Sequence, residues 1–322
     1  MIMIAVAMLI ALILCLLSGV PYIEFLKKHL YGQYIREEVA QTHAKKSGTP
    51  TTGGAFMIFS LVFASVVALS MAQTLDKKVL IVLMTVIFYT FTGFKDDMTK
   101  IKEHRNKGLS AKGKFLLQNA VALLPALYIV LTGKTAVTFG SYSIELGFWA
   151  VIFAIFLIVG TSNALNLTDG LDGLASSCAL FSFLGCASIC YMTKQEGLAI
   201  ISAAAAAVCL GFLYFNRHPA KVFMGDTGSL ALGGLLGTIA VVGKFELWLI
   251  PLGLVFILET LSVMIQVTSF KTTGKRIFKM TPIHHHFELL GWNEEKIVRV
   301  FASVNAISCV IAVWGFYFTR NG

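Results

Sequence analysis

The chain has 322 residues, 57% hydrophobic and only 13% charged, with a mean hydropathy of +0.78 and a formal net charge of +9. A soluble domain carries about 25% charged residues, so this composition excludes an ordinary water-facing surface, and apolar runs recurring from end to end exclude one large core. A transmembrane β-barrel is excluded as well, because its segments alternate in polarity over about ten residues, whereas these runs are continuous and longer.

Ten membrane spans are predicted, over residues 2–22, 53–73, 78–94, 115–133, 147–165, 175–192, 197–215, 228–243, 247–268 and 300–318. The first (MIMIAVAMLIALILCLLSGV) lacks the basic start and cleavage site of a signal peptide and reads as a retained span. Between spans 4 and 5, TAVTFGSYSIEL alternates around Gly140 and Ser141 and predicts a small β-hairpin. The eighth span is short and glycine-rich, which suits tight packing. All six cysteines fall inside apolar runs and read as small hydrophobes. With no long-period repeat and no linker, residues 1–322 form one integral domain: an all-α polytopic membrane protein with a small extracytoplasmic hairpin.

Orientation follows from the loops. Those after spans 1, 3, 5, 7 and 9 hold 20 of the 26 lysines and arginines, so they face the cytoplasm and both termini lie outside. The net positive charge is then chiefly a topology signal with some attraction for anionic lipid or substrate. Nucleic acid is not an expected partner, because the basic loops lack interleaved aromatic platforms.

The aspartates point to the chemistry. Of six, Asp96, Asp97, Asp169, Asp172 and Asp226 gather in three of these loops or at the span ends feeding them; only Asp76 does not. A carboxylate near a bilayer is costly unless paired, solvated or bound to a cation. FKDDMTK sets Asp96 beside Asp97, and neighbours on a helix diverge by about 100°, so both reach one site only if span 3 ends there. In NALNLTDGLDGLA, Asn163, Asn166, Asp169 and Asp172 recur at intervals of three, with no lysine or arginine to balance the two carboxylates. In FNRHPAKVFMGDTGS, Asp226 opens span 8, as a ligand or as a plain helix cap, after Asn216, Arg217, His218 and Lys221.

Two further loops add cations and hydroxyls. His43, Lys45 and Lys46 precede GTPTTGG, which is no Walker A because no Lys-Ser/Thr pair follows its glycines. KMTPIHHHFELLGW holds His284, His285 and His286, which cannot all ligate one zinc from a regular helix and suit a phosphate or sugar better. Within span 9, Glu259 and Gln266 are the strongly polar groups, and Glu259 is either functional or paired within the bundle. Aspartates on oxygen-rich loops suit magnesium, and with lysines nearby they make the equipment of phosphoryl transfer.

Taken in order and spacing, THAKKSGTPTTGG, FTGFKDDMTK, NALNLTDGLDGLA, VFMGDTGS and TPIHHHFELLGW resemble the motifs of the bacterial phospho-N-acetylmuramoyl-pentapeptide transferases, within the polyprenyl-phosphate N-acetylhexosamine-1-phosphate transferase superfamily. The resemblance covers essentially the whole chain and departs at Thr52, where many relatives are expected to carry methionine. It implies ten spans in the bacterial plasma membrane, a cytoplasmic active site and a homodimer. It also implies magnesium-dependent transfer of phospho-MurNAc-pentapeptide from UDP-MurNAc-pentapeptide to undecaprenyl phosphate, giving lipid I and UMP in peptidoglycan synthesis.

Carried over by position, the resemblance makes Asp226 the magnesium ligand and Asp96 and Asp97 the essential acidic pair, with Asp96 deprotonating or orienting the lipid phosphate. It makes His284 the fourth catalytic candidate. Asn163, Asn166, Asp169 and Asp172 would serve the nucleotide and shape the metal site. Lys46, Thr51 and Lys112 would face phosphates or nucleotide, and His285 and His286 the sugar and pyrophosphate; Asn216 and Gln266 complete the substrate-binding set. The rivals are a polyprenyl-phosphate GlcNAc-1-phosphate transferase, against which PIHHHFE weighs, and a transporter, which would hold its polar groups near the bilayer midplane.

Overall fold

A computed structural model describes residues 1–29, 48–103 and 108–321. Lys46 lies outside the described residues, as do His43 and Lys45. Among the described residues, ten helices are long and apolar enough to cross a membrane. They are α1 (Ile2–His29), α2 (Gly54–Met71), α3 (Lys77–Lys102), α4 (Ala111–Leu131), α5 (Trp149–Thr168), α6 (Leu174–Met192), α7 (Glu196–Asn216), α8 (Gly225–Gly243), α10 (Leu254–Thr273) and α12 (Glu294–Asn321). Two short α-helices, α9 (Leu249–Leu252) and α11 (Ile283–Glu288), and a 3-10 turn over Glu246–Trp248 complete the helices among the described residues.

Small residues explain which helix sits at the centre. With GDTGSLALGGLLGTIAVVG as its sequence, α8 is buried along its whole length. Its glycines let α3 and α5 close on it from two sides. The alanine run Ala203–Ala207 does the same for α7, which packs against α1, α2 and α6. The outer helices turn large apolar side chains outward, among them Leu9, Ile13 and Leu17 on α1 and Ile307, Ile311 and Trp314 on α12. A helix apolar on its outward face needs lipid rather than water around it.

The expected hairpin is present, β1 (Ala136–Phe139) against β2 (Tyr142–Glu145), antiparallel with Phe139 opposite Tyr142. Phe139 stacks on Trp248 with ring centroids 5.3 Å apart, tying the hairpin to the turn before α9.

Two boundaries differ from those expected, in ways that matter for the site. The third span does not end at residue 94: α3 runs on to Lys102 through the polar FKDDMTKIK, because the helix buries one side of that stretch against α8. The predicted ninth span, 247–268, is broken at Gly253 into α9 and α10, and α10 continues to Thr273. The chain after α10 then folds back along that helix. Gln266 accepts from the backbone N–H groups of Ile277 and Phe278, 3.0 Å each, and donates to Phe278 O at 2.8 Å.

Candidate active site

The site forms where α3 and α5 end and where α4 and α8 begin. Its foundation is the contact of α3 with the start of α8. Gly93 lies against the backbone of Asp226 and Thr227, and a Cβ there would overlap the Asp226 carbonyl. That close approach brings the next turn of α3, with Asp96 and Asp97, onto the first turn of α8.

Asp97, 1% exposed, does the capping that sequence reasoning assigned to Asp226 as its plain alternative. Its Oδ1 accepts from Asp226 N at 3.1 Å, and its Oδ2 accepts from Thr227 N at 2.9 Å and Thr227 Oγ1 at 2.6 Å. The first N–H groups of a helix have no partner within it, and here a buried carboxylate from another helix satisfies them. Gly225 holds φ +69°, and a side chain there would meet Asp97 Oδ2 and Thr51 Oγ1.

Asp226 is thereby free of capping duty and turns its carboxylate to other partners. Oδ1 accepts from Asn166 Nδ2 at 2.9 Å, while Lys114 Nζ lies 2.5 Å and Lys100 Nζ 3.1 Å from Oδ2. Lys100 also lies 2.7 Å from Asp96 Oδ2, and Asp96 Oδ1 accepts from Leu109 N at 2.9 Å. One carboxylate oxygen from each of Asp96, Asp97 and Asp226 falls within 4.8 Å of the others. Three hard anionic oxygens this close repel one another unless a cation sits among them, and they are the donor type a divalent ion such as magnesium prefers. Lys100 and Lys114 supply part of that positive charge. The condition that span 3 must end at the acidic pair is therefore corrected: α3 continues, and the pair reaches one centre because α8 starts against it.

The TPTTGG segment is stitched to the same place. Phe223 N donates to Pro50 O, Gly53 N to Phe223 O and Gly54 N to Met224 O, at 2.8 to 2.9 Å. Thr51 is thus brought beside Gly225, its buried Oγ1 without a hydrogen-bond partner among the described residues. Lys112 stands exposed on α4, two residues before the Lys114 that reaches Asp226.

The four residues at intervals of three have different partners. A step of three residues drifts about 60° around a helix, and α5 ends at Thr168, so the series separates. Asn163 makes a reciprocal amide pair with Gln118 of α4, at 2.9 and 3.2 Å. Asn166 joins Asp226 and also donates to Ser229 Oγ at 2.8 Å. Asp169 caps the end of α5. Asp172 belongs to a second cluster. Its Oδ2 accepts from Ala220 N at 3.0 Å and lies 3.2 Å from His218 Nδ1, which is also 3.2 Å from Glu294 of α12. A cavity of about 580 Å³ beside it is lined by Asp172, Arg217, His218, Lys221 and Arg299 among others.

Asn216 and Gln266 are both buried and occupied in holding loops. Asn216 accepts from Gly173 N and Ser176 Oγ and donates to Val222 O. Of the three histidines, His285 pairs with Glu288 at 2.6 Å, and His286 Nδ1 accepts from Lys279 N at 3.1 Å, which leaves its proton on Nε2. His284 is fully buried, 3.1 Å from Glu259. Glu259, left open between a functional role and a bundle pairing, faces His284.

Sequence reasoning missed Lys114, Gln118 and Glu294 and gave Lys100 no role. Lys114 and Gln118 carry a usable signal, one turn apart on the face of α4 that opens after the Ser110 cap. Glu294 carries none, because it meets residue 172 across 122 positions.

The family model described as "Glycosyl transferase family 4" matches residues 79–244, which span α3 to α8 and so the acidic centre. The chain is also similar to phospho-N-acetylmuramoyl-pentapeptide-transferases. It is 46% identical to that of Staphylococcus aureus (strain bovine RF122 / ET3-1) over 318 residues, 97% of this chain and 99% of the relative. It is 45% identical to that of Bacillus pumilus (strain SAFR-032) over 306 residues, 94% of each.

Proposed function

The chain belongs to the phospho-N-acetylmuramoyl-pentapeptide-transferase family and is a membrane transferase; on that premise we propose that it moves phospho-MurNAc-pentapeptide from UDP-MurNAc-pentapeptide to undecaprenyl phosphate, leaving UMP and lipid I. The observation that carries this reading is the convergence of Asp96, Asp97 and Asp226 with Lys100 and Lys114 at one end of the spans. A lipid phosphate held in the bilayer and a nucleotide arriving from water can meet only at such an end. The positive-inside rule makes that end cytoplasmic and both termini extracytoplasmic.

The reaction brings two phosphate-bearing anions together, so opposing their repulsion is the main task. Magnesium, held by Asp226 with Asp96 and Asp97 around it, would supply part of that positive charge when bound. Lys100 and Lys114 supply the rest, already oriented toward the same carboxylates. Asp97 acts through α8: by accepting from the backbone of Asp226 and Thr227 it fixes where the Asp226 carboxylate points. Asn166 fixes the other Asp226 oxygen. Asp96, with one oxygen facing Lys100, is the group placed to orient the incoming lipid phosphate.

On the nucleotide side we assign Asp169 and Asp172, with Thr51 and Lys112 meeting phosphates. Lys46 is assigned with them on the resemblance alone. His285 and His286 serve the sugar and pyrophosphate. For Asn163, Asn216 and Gln266 the hydrogen bonds support a supporting role, holding the loops on which the others stand. The chain is further proposed to act as one domain and to form a homodimer, which the mass of the detergent-solubilised protein tests.

The test of the reaction is substrate choice. Given undecaprenyl phosphate and magnesium, the purified chain should form a lipid-linked product from UDP-MurNAc-pentapeptide and none from UDP-GlcNAc. Product from UDP-GlcNAc alone would refute the assignment in favour of the GlcNAc-1-phosphate transferases.

A further inference from the structure

Glu259 and His284 form a buried pair, and full burial gives His284 a place behind the site instead of the direct catalytic one that the resemblance implies. Glu259 is fully buried in α10, a helix long and apolar enough to span the membrane, where an ionisable side chain needs a partner. That partner comes from the returning chain. His284 Nδ1 lies 3.1 Å from Glu259 Oε1, and His284 N donates to Glu259 Oε2 at 3.4 Å. Both carboxylate oxygens thus face nitrogens of one residue.

The far side of the ring meets the loop between α5 and α6. Both ring nitrogens of His284 are buried without a hydrogen-bond partner among the described residues, Nδ1 facing Glu259 and Nε2 facing away from it. Nε2 rests against Gly170, where an added Cβ would overlap it. Gly170 lies between Asp169 and Asp172. An imidazole this enclosed touches no solvent, so it acts on a substrate only through what it presses on.

We propose that Glu259 and His284 are positioning residues: a strut from α10 to Gly170 that sets the Asp169–Asp172 loop for the nucleotide substrate. Glu259 holds the residue by accepting from His284 N and by facing Nδ1, and the ring edge sets how closely the loop approaches. Gly170 is glycine because the ring occupies the space of its side chain. The inference rests on the nucleotide-side role given above to Asp169 and Asp172.

The experiment measures KM for each substrate and kcat on the full chain in detergent. Glu259→Leu removes the carboxylate and should raise KM for UDP-MurNAc-pentapeptide about tenfold while leaving KM for undecaprenyl phosphate within about twofold. Glu259→Gln keeps an acceptor for the His284 backbone N–H and should restore most of that loss, which a packing role alone would not require. Gly170→Ala, whose methyl group meets the ring, should show the same one-sided KM change. Because both act on one loop, the double variant should be no worse than about twofold beyond the worse single variant.

Equal rises in both KM values, a loss confined to kcat, or multiplying effects in the double variant would each overturn the strut. Should Glu259→Leu fail to fold, Glu259→Gln and Gly170→Ala carry the same test. A normal nucleotide KM in Asp169→Asn and Asp172→Asn would overturn the loop's nucleotide role itself. A raised KM in those two with a normal one in Glu259→Leu would overturn the strut alone.

Discussion

Replacing Asp97 by asparagine separates its capping task from its charge. The Asp97 carboxylate accepts three hydrogen bonds at the start of α8, one on Oδ1 and two on Oδ2. Asparagine keeps one acceptor oxygen. If that oxygen faces Thr227, the new NH₂ confronts the N–H of Asp226. One bond to a charged group disappears, worth about 1.5–3 kcal/mol, and a buried donor is left unsatisfied at about 1–3 kcal/mol. The two losses overlap, so a total near 3 kcal/mol is expected, or roughly a hundredfold in an equilibrium constant. The damage falls on the residue that aims Asp226, so Asp97→Asn should lower both the thermal midpoint of the detergent-solubilised protein and its UMP release. The two should be read together, by thermal unfolding and by coupled UMP assay. A variant that keeps the wild-type midpoint while losing activity would refute the capping argument and make Asp97 a direct participant instead.

Three other predictions come from the same geometry. Lys114→Met should lower turnover about a hundredfold, because it strips a buried carboxylate of a close cation, whereas Lys112→Met should change only KM for the nucleotide; equal effects on turnover would contradict the assignment of Lys114 to Asp226. Gly93→Ala pushes a methyl group into the Asp226 backbone and should weaken magnesium dependence and stability together, measured as the magnesium concentration for half-maximal rate and the thermal midpoint. Gln118→Leu leaves Asn163 Oδ1 without its donor, Nδ2 keeping Val159 O, and should cost about 1–3 kcal/mol, while Gln118→Leu with Asn163→Leu should cost less; if the double variant also loses nucleotide affinity, Asn163 touches substrate.

Much of the architecture is legible in the chain because hydrophobicity is a local property. A helix that meets lipid must be apolar along its own length, and all ten spans announce themselves that way. The hairpin is equally local, resting on alternation about Gly140. Boundaries are harder: FKDDMTKIK looks like a loop, yet α3 continues through it because α8 covers one side. The broken ninth span hides for the opposite reason, since Leu249–Leu252 and α10 are both apolar across Gly253.

The site was readable as a set of residues and not as a set of contacts. The carboxylates are conspicuous because acidic groups are scarce, but the capping of α8 by Asp97 joins positions 130 apart. Lys112 and Lys114 look interchangeable in a sequence, yet two residues on a helix point about 200° apart, so only one can face Asp226. The even spacing from Asn163 to Asp172 makes them neighbours in the sequence, and helix drift together with the end of α5 at Thr168 gives all four different partners. His284 to His286 look alike, yet one is entombed against Glu259, one bonds Glu288 and one accepts from Lys279.

The most direct test of the acidic centre is UMP release followed across a magnesium titration, in the wild type and in Asp226→Asn, with UDP-MurNAc-pentapeptide and undecaprenyl phosphate both present. The wild type should release UMP only with magnesium and both substrates, and Asp226→Asn should release almost none at any magnesium concentration while remaining folded. Near-normal release by Asp226→Asn, or release by the wild type after magnesium is chelated, would contradict a metal site centred on Asp226.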